Sequence, residues 1–209
     1  MGAPAVTPAY RIRTPRLVLR CWNPGDAPLL KAAIDESLEH LRPWMPWVAS
    51  EPEVLQAKIE RLRKMRADFD LDKNFIYGIF DRQEQRVLGG TGLHTRVGPA
   101  ALEIGYWIHK DFINQGLATE ASAALTRVAF EIHAIQRVEI HCDPENGPSA
   151  SVPRKLGFTL EATLRKRVPF GEDKFVDSMI WSLFADDYPT SPAAQADIEA
   201  YDAVGRKLL

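Results

Sequence analysis

From Ile108 to Ala121 the chain reads as the end of a strand, a short loop with one glycine, and the start of a long helix. The first N–H groups of a helix have no partner inside it, and the helix dipole adds positive potential at that end. Such a terminus holds phosphate groups. Gly116 and Ala118 lack bulk, so a phosphate can approach the backbone across Gln115, Gly116, Leu117, Ala118 and Thr119. This is the chemistry of a diphosphate cradle without a Walker-type lysine. Read locally, the glycine is equally an ordinary turn before a helix. Asn146 and Ser149 follow the next strand-like run, Val138 to Cys142. They read either as a turn residue and a helix cap or as polar groups aimed at a ligand at a strand end.

These residues need elements that bring two strand ends together. Arg16 to Arg20 alternates polar and apolar, as a strand does. Asp26 can cap a helix running from about Ala27 toward Leu38. Pro43 and Pro46 forbid a helix interior between Leu41 and Trp47. Ser50, with Glu53 three residues on, reads as the cap of a second helix to about Phe69, with Val54, Ile59, Leu62 and Met65 as its stripe. Strands follow at 75–81, 86–96 and 101–108, and the short turns between them leave room only for antiparallel pairing. In the third strand Leu102, Ile104, Tyr106 and Ile108 share one face, and Glu103, Gly105 and Trp107 share the other. Leu117, Ala121, Ala124, Leu125, Val128, Ala129 and Ile132 mark the strongest helix. A short strand at 138–142 and a short helix at about 149–156 come next, and Gly157 ends that helix. Pro153 is tolerable only in a first helical turn, which predicts a late start for this helix and puts the placement of Ser149 in question. Strands at 158–168 and 174–183 are joined through Phe170, Gly171, Glu172 and Asp173. The order is that of one mixed α/β (α+β) layer structure over about 11–185. The small, Pro-rich residues 1–10 read as a disordered lead. The tail from about 186 to 209 is expected to hold one helix near 193–207.

The chain has 209 residues, with 26 basic and 28 acidic side chains. That balance argues against general nucleic-acid binding, which needs a basic footprint. No run of about 18 apolar residues is present, so no membrane-spanning helix is expected. The start lacks the apolar core of a signal peptide. Two cysteines, Cys21 and Cys142, make neither a disulfide framework nor a metal cluster, and reduced thiols in a cytoplasmic protein are expected.

The order and spacing of several motifs resemble the Gcn5-related N-acetyltransferase superfamily, GNAT, in its RimJ/RimL branch. The motifs are Arg16-Leu17-Val18-Leu19-Arg20 with Asp26-Ala27, then Leu41 to Trp47, Glu103 to Ile108 and Gln115 to Ala121. Asn146, Ser149, Val152 and Lys155-Leu156-Gly157-Phe158 complete them. The resemblance implies a mixed central sheet with flanking helices and two central parallel strands that splay apart, at 101–108 and 137–143. It implies acetyl-CoA as co-substrate, a primary amine as acceptor, no metal and no covalent enzyme intermediate. The diphosphate would sit on Gln115–Thr119, and Asn146 would contact the cofactor. Ile113 stands where the family has Gln or Arg, which removes one side-chain contact from a cradle built of backbone. Glu103 matches the glutamate that similar enzymes use as base, against the reading of a solvated residue or an arginine's partner. Ser149 matches the serine that protonates the departing thiolate, with Tyr106 as a rival donor. A backbone N–H near Ile108 would serve the developing oxyanion.

Acceptor choice falls to the first two helices, the loop at 41–47 and the hairpin at 166–175. Trp44 and Trp47 in the Pro-braced loop read as substrate-binding surface or as core. His94 and His141 read as satisfied structural histidines. The basic stretch Arg61, Arg63, Lys64 and Arg66 reads as a solvated face, and Arg165, Lys166 and Arg167 allow the same reading. The likeness to RimJ/RimL points to the α-amino group of a protein or peptide. A small-molecule acceptor (aminoacyl nucleotide, amino acid, polyamine or aminoglycoside) and a non-catalytic CoA-binding module stay open, as do monomer and homodimer.

Overall fold

The computed structural model describes residues 7–171 and 174–209. The lead at 1–6 and the turn residues Glu172 and Asp173 lie outside the described residues. In chain order the elements are β1 (Arg11–Arg13), β2 (Leu17–Cys21), α1 (Ala27–Leu41), α2 (Leu55–Asp70), β3 (Phe75–Asp81) and β4 (Val87–His94). Then come β5 (Ala101–Ile108), α3 (Leu117–Glu131), β6 (Arg137–Cys142), α4 (Gly147–Lys155), β7 (Thr159–Pro169), β8 (Phe175–Phe184) and β9 (Glu199–Tyr201). Among the described residues nine strands form one sheet in the order β7-β8-β6-β5-β4-β3-β2-β1-β9.

Every neighbouring pair is antiparallel except β5 and β6. Those two are joined through α3, a crossover long enough for parallel pairing. One sheet face packs on α3 and α4 through Ile104, Leu125, Val128, Ile140 and Val152. The other packs on α1 and α2 through Val18, Leu30, Ile34, Leu62 and Phe80. The alternation expected in β5 is observed: Leu102 and Ile104 join the first core, and Trp107 packs against the second.

The tail differs from the expected helix. Short 3-10 turns at Tyr188–Thr190 and Pro192–Gln195 are followed by β9, which pairs with β1 and sets Ala200 opposite Ile12. The open edge of β1 offers unpaired backbone groups that a strand satisfies, and residues 199–201 supply it. Residues 8–10, expected to belong to a disordered lead, are packed on the sheet. Ala9 is fully buried, and the Tyr10 N–H donates to the Tyr201 carbonyl at 2.8 Å.

The second helix begins later than the Ser50 cap predicts. The Ser50 hydroxyl donates back to the Trp47 carbonyl at 2.9 Å, within a 3-10 turn at Pro46–Ser50. Glu51 is drawn inward to Lys58, and neither side chain is exposed. The basic stretch on α2 is largely paired: Arg61 with Glu53, Arg63 with Glu60, and Arg66 with Asp70.

Candidate active site

Three register pairs join β5 to β6: Ala101 to Arg137, Leu102 to Val138, and Glu103 to Glu139. Beyond them β5 stays bonded to β4 as far as Ile108, and β6 stays bonded to β8 as far as Cys142. Each strand thus follows its outer neighbour, and a gap opens between their inner edges. The N-terminus of α3 lies past the far end of β5. Gly116 caps it at φ 77°, in the left-handed region that favours glycine. The first backbone bond of the helix runs from the Glu120 N–H to the Gly116 carbonyl at 3.0 Å. The N–H groups of Leu117, Ala118 and Thr119 therefore precede the ladder. Leu117 is buried and anchors the turn, whereas Gln115 and Gly116 are exposed. Gln115 turns its amide back to the Asp111 carbonyl at 3.2 Å. Ile113 is exposed.

Arg16 is clamped beside this turn. Its Nη1 donates to the Gln115 carbonyl at 2.8 Å and its Nε to Glu120 at 2.6 Å. A side chain added at Gly116 would come within 3.6 Å of its Nη2. The turn thus carries a cation as well as free N–H groups.

On the α3/α4 face, the Tyr106 hydroxyl lies 3.0 Å from the Ser149 hydroxyl and donates to the Ser149 carbonyl at 3.1 Å. Pro153 explains the second contact. It lies inside α4 and has no N–H for the carbonyl four residues back, which is that of Ser149. The expected late start is therefore overturned: the helix begins at Gly147, and Tyr106 takes the place of the missing donor. Asn146 is the cap, accepting from the Ser149 N–H at 3.1 Å, and its amide NH2 stays available. Burial pushes the Tyr106 phenol well above its ordinary range, against a weaker lowering by Ser149. Burial also raises the Cys142 thiol.

On the α1/α2 face, Glu103 is not a free carboxylate. It is 5% exposed, and Arg96 grips both oxygens: Nε to Oε2 at 2.7 Å and Nη2 to Oε1 at 2.5 Å. Burial favours the protonated form, yet the Arg96 hydrogen bonds and the charges of His141, Arg96 and His94 outweigh it and hold the carboxyl below the usual range. His94 stands opposite Glu103 in register, with Nδ1 3.0 Å from the Asn74 side-chain oxygen. Burial and Arg96 lower its pKa. On β6, His141 Nε2 lies 2.6 Å from Glu139, and its Nδ1 lies 3.9 Å from Glu103. The Arg137 Nε donates to the other Glu139 oxygen at 2.7 Å.

Trp107 lies on the same face, its indole across Gly90, where a Cβ would stand 2.5 Å from the ring nitrogen. Trp47 meets Trp107 edge-on, with centroids 6.3 Å apart, which ties the 41–47 loop to β5. Trp44 is partly exposed in that loop.

The structure thus gathers Asn146 and Ser149 with Tyr106 on one face, and Glu103 with Trp107 and Trp47 on the other. The cradle residues stand at the far end of β5. Sequence reading missed Arg96, Arg16 as a cradle residue, and the pairing of His141 with Glu139. The last had a signal: residues two apart on a strand share a face.

A family model described as "Acetyltransferase (GNAT) domain" matches residues 16–159. The chain is 29% identical over 160 residues to the [ribosomal protein uS5]-alanine N-acetyltransferase of Escherichia coli, covering 74% of this chain and 80% of that one. It is 30% identical over 92 residues to the uncharacterized N-acetyltransferase YnaD of Bacillus subtilis, covering 44% of this chain and about half, 54%, of that relative. Among solved structures it is similar to Mycobacterium smegmatis RimJ in complex with CoA-disulfide, with TM-score 0.75 and 22% identity over 93% of this chain and 95% of that one.

Proposed function

The chain belongs to the GNAT acetyltransferase domain family, and on that footing we propose that it transfers an acetyl group directly from acetyl-CoA to a primary amine, the α-amino group of a protein or peptide. The observation that carries this reading is the register of β5 and β6, which ends at Glu103 and Glu139 and leaves two strand edges facing a gap. An extended amide-bearing arm fits such a gap, because strand backbone offers the partners that amides need. The α3 turn fits the diphosphate: free N–H groups, a helix dipole and Arg16 all favour negative charge there.

The protein's part is mainly positional, since a thioester is already reactive toward a neutral amine. At the splay the Ser149 hydroxyl, 3.0 Å from the Tyr106 hydroxyl, is the donor toward the leaving sulfur. A phenol raised by burial keeps its proton, and Tyr106 donates it in a hydrogen bond to the Ser149 carbonyl, so Tyr106 holds Ser149 in place and does not protonate the thiolate. Trp47 and Trp107 offer apolar area to the acceptor. Glu103, held ionised and in place by Arg96, offers a carboxylate oxygen as hydrogen-bond acceptor to an ammonium group. Neither thiol is suited to carry the acetyl group, since burial raises both Cys21 and Cys142. Among the described residues no helix is long and apolar enough to cross a membrane. The two free thiols fit the cytoplasm as the setting.

The test is CoA-thiol release from acetyl-CoA against N-terminal peptides, aminoacyl adenylate analogues, amino acids, polyamines and aminoglycosides. Release with peptides and not with the others is expected. Tight acetyl-CoA binding with no release from any amine would overturn the enzymatic reading. Release with one small-molecule class alone would move the acceptor there.

A further inference from the structure

Glu103 is poorly suited to take a proton, because both its oxygens already accept from Arg96. A second group faces the same gap from β6. The Glu139 carboxylate can only accept a hydrogen bond, so the His141 nitrogen 2.6 Å away must donate. That fixes the Nε2–H tautomer in the neutral ring and leaves the Nδ1 lone pair free. Arg137 locks the other Glu139 oxygen, so the ring is oriented in the way an imidazole base requires. The free Nδ1 points toward Glu103 across 3.9 Å. That distance is too long for a direct hydrogen bond, and it lets one nitrogen sit about 2.8–3.0 Å from both. The place is where β5 and β6 part, and the His141 side chain is 27% exposed.

Resting on the acetyl-transfer reading, we propose that His141, oriented by Glu139, is the proton acceptor for the acceptor amine, while the Glu103 carboxylate, fixed in place by Arg96, accepts a hydrogen bond from the incoming ammonium. One N–H bond of the ammonium breaks and its proton goes to Nδ1. The freed lone pair forms the C–N bond to the acetyl carbon, and the C–S bond breaks with its electron pair on sulfur. The second amine proton ends on that sulfur, giving CoA thiol, and His141 returns its proton to solvent. The groups that set the charge around the ring come from every side. Glu139 and, through it, Arg137 stand on β6, and Glu103 stands on β5. Arg96 and His94 act through Glu103. On the β8 side, Ser182 pairs with Glu139 in register and donates to Glu161 of β7 at 2.6 Å.

The experiment is the pH profile of kcat/KM for wild type, His141→Gln, Glu139→Gln and Glu103→Gln, with acetyl-CoA affinity measured by calorimetry. His141→Gln should lose about 10²-fold at pH 6.5. The loss should shrink to under tenfold near pH 9, where an α-amine of pKa about 8 deprotonates unaided. Acetyl-CoA affinity should not change. Glu139→Gln should show the same pH-dependent loss, smaller in size, and it carries the test if His141→Gln does not fold. Glu103→Gln should raise KM for the amine and keep the wild-type profile. A wild-type profile in His141→Gln, or a profile abolished only in Glu103→Gln, would overturn the assignment while leaving acetyl transfer intact. Wild type that releases no CoA thiol with any amine would instead remove the acetyl-transfer reading and this assignment with it.

Discussion

His133, just past α3, packs against Phe75 with ring centroids 4.6 Å apart. Burial pushes its pKa down to about 4. In the unfolded chain a histidine titrates near pH 6.5, so between about pH 6.5 and 4 the unfolded state binds more protons. Stability must then fall as pH drops through that window. The shift corresponds to about 3 kcal/mol. Urea titrations at pH 7 and pH 4.5 should show wild type losing more stability than His133→Gln; equal losses would mean the ring is solvated. Single residues were also where the sequence was hardest to read. Glu103 could be recognised as a strand carboxylate, but not its state, because that depends on Arg96 folding back across the β4–β5 turn. Ser149 and Tyr106 were both visible as donors. Their contact was hidden because Pro153 looked like an obstacle to α4, whereas it frees the carbonyl that Tyr106 fills.

At the scale of elements, strands and helices with full periods were legible: β3, β5 and α3 stand within a residue or two of the expected bounds. Elements governed by distant partners were not. The segment from Pro46 to Val54 carries cap-like residues, yet the Glu51–Lys58 pair sets its course. Both side chains are fully buried, with Glu53 joining from the flank at 3.2 Å. This pair pins the Trp47 loop to α2, and Trp47 in turn meets Trp107 on β5. Removing Lys58 leaves the buried Glu51 with only the more distant Arg61, 3.6 Å away, and the Glu53 N–H; breaking a buried pair typically costs about 3–5 kcal/mol. Lys58→Ala should therefore lower the urea midpoint strongly, and Glu51→Gln with Lys58→Met should recover much of the loss. If Lys58→Ala unfolds at the wild-type midpoint, water reaches the pair and the loop is held by its apolar contacts.

Over the whole molecule, the unexpected β9 connects the far edge of the sheet to the turn before α3. Ile198 and Ala200 are buried, Leu208 and Leu209 pack on the same core, and β9 hydrogen-bonds β1 along its length. β1 leads directly into Thr14 and Arg16. The Thr14 hydroxyl donates to Glu120 at 2.5 Å, and Arg16 holds both Glu120 and the Gln115 carbonyl. The C-terminal strand thus supports the segment that places a cation at the start of α3. Deleting residues 198–209 exposes the buried Ile198 and Ala200 sites and frays β1; loss of one large apolar contact alone is worth about 1.5–3 kcal/mol. The truncated chain should have a lower urea midpoint and several-fold weaker acetyl-CoA affinity by calorimetry. Arg16→Ala in the full chain should weaken acetyl-CoA by a similar factor with little change in midpoint, since an exposed ion pair is worth under about 1 kcal/mol. Undiminished acetyl-CoA affinity in the truncated chain would show that the cradle is held by α3 and Glu120 alone, and that the edge strand serves stability only.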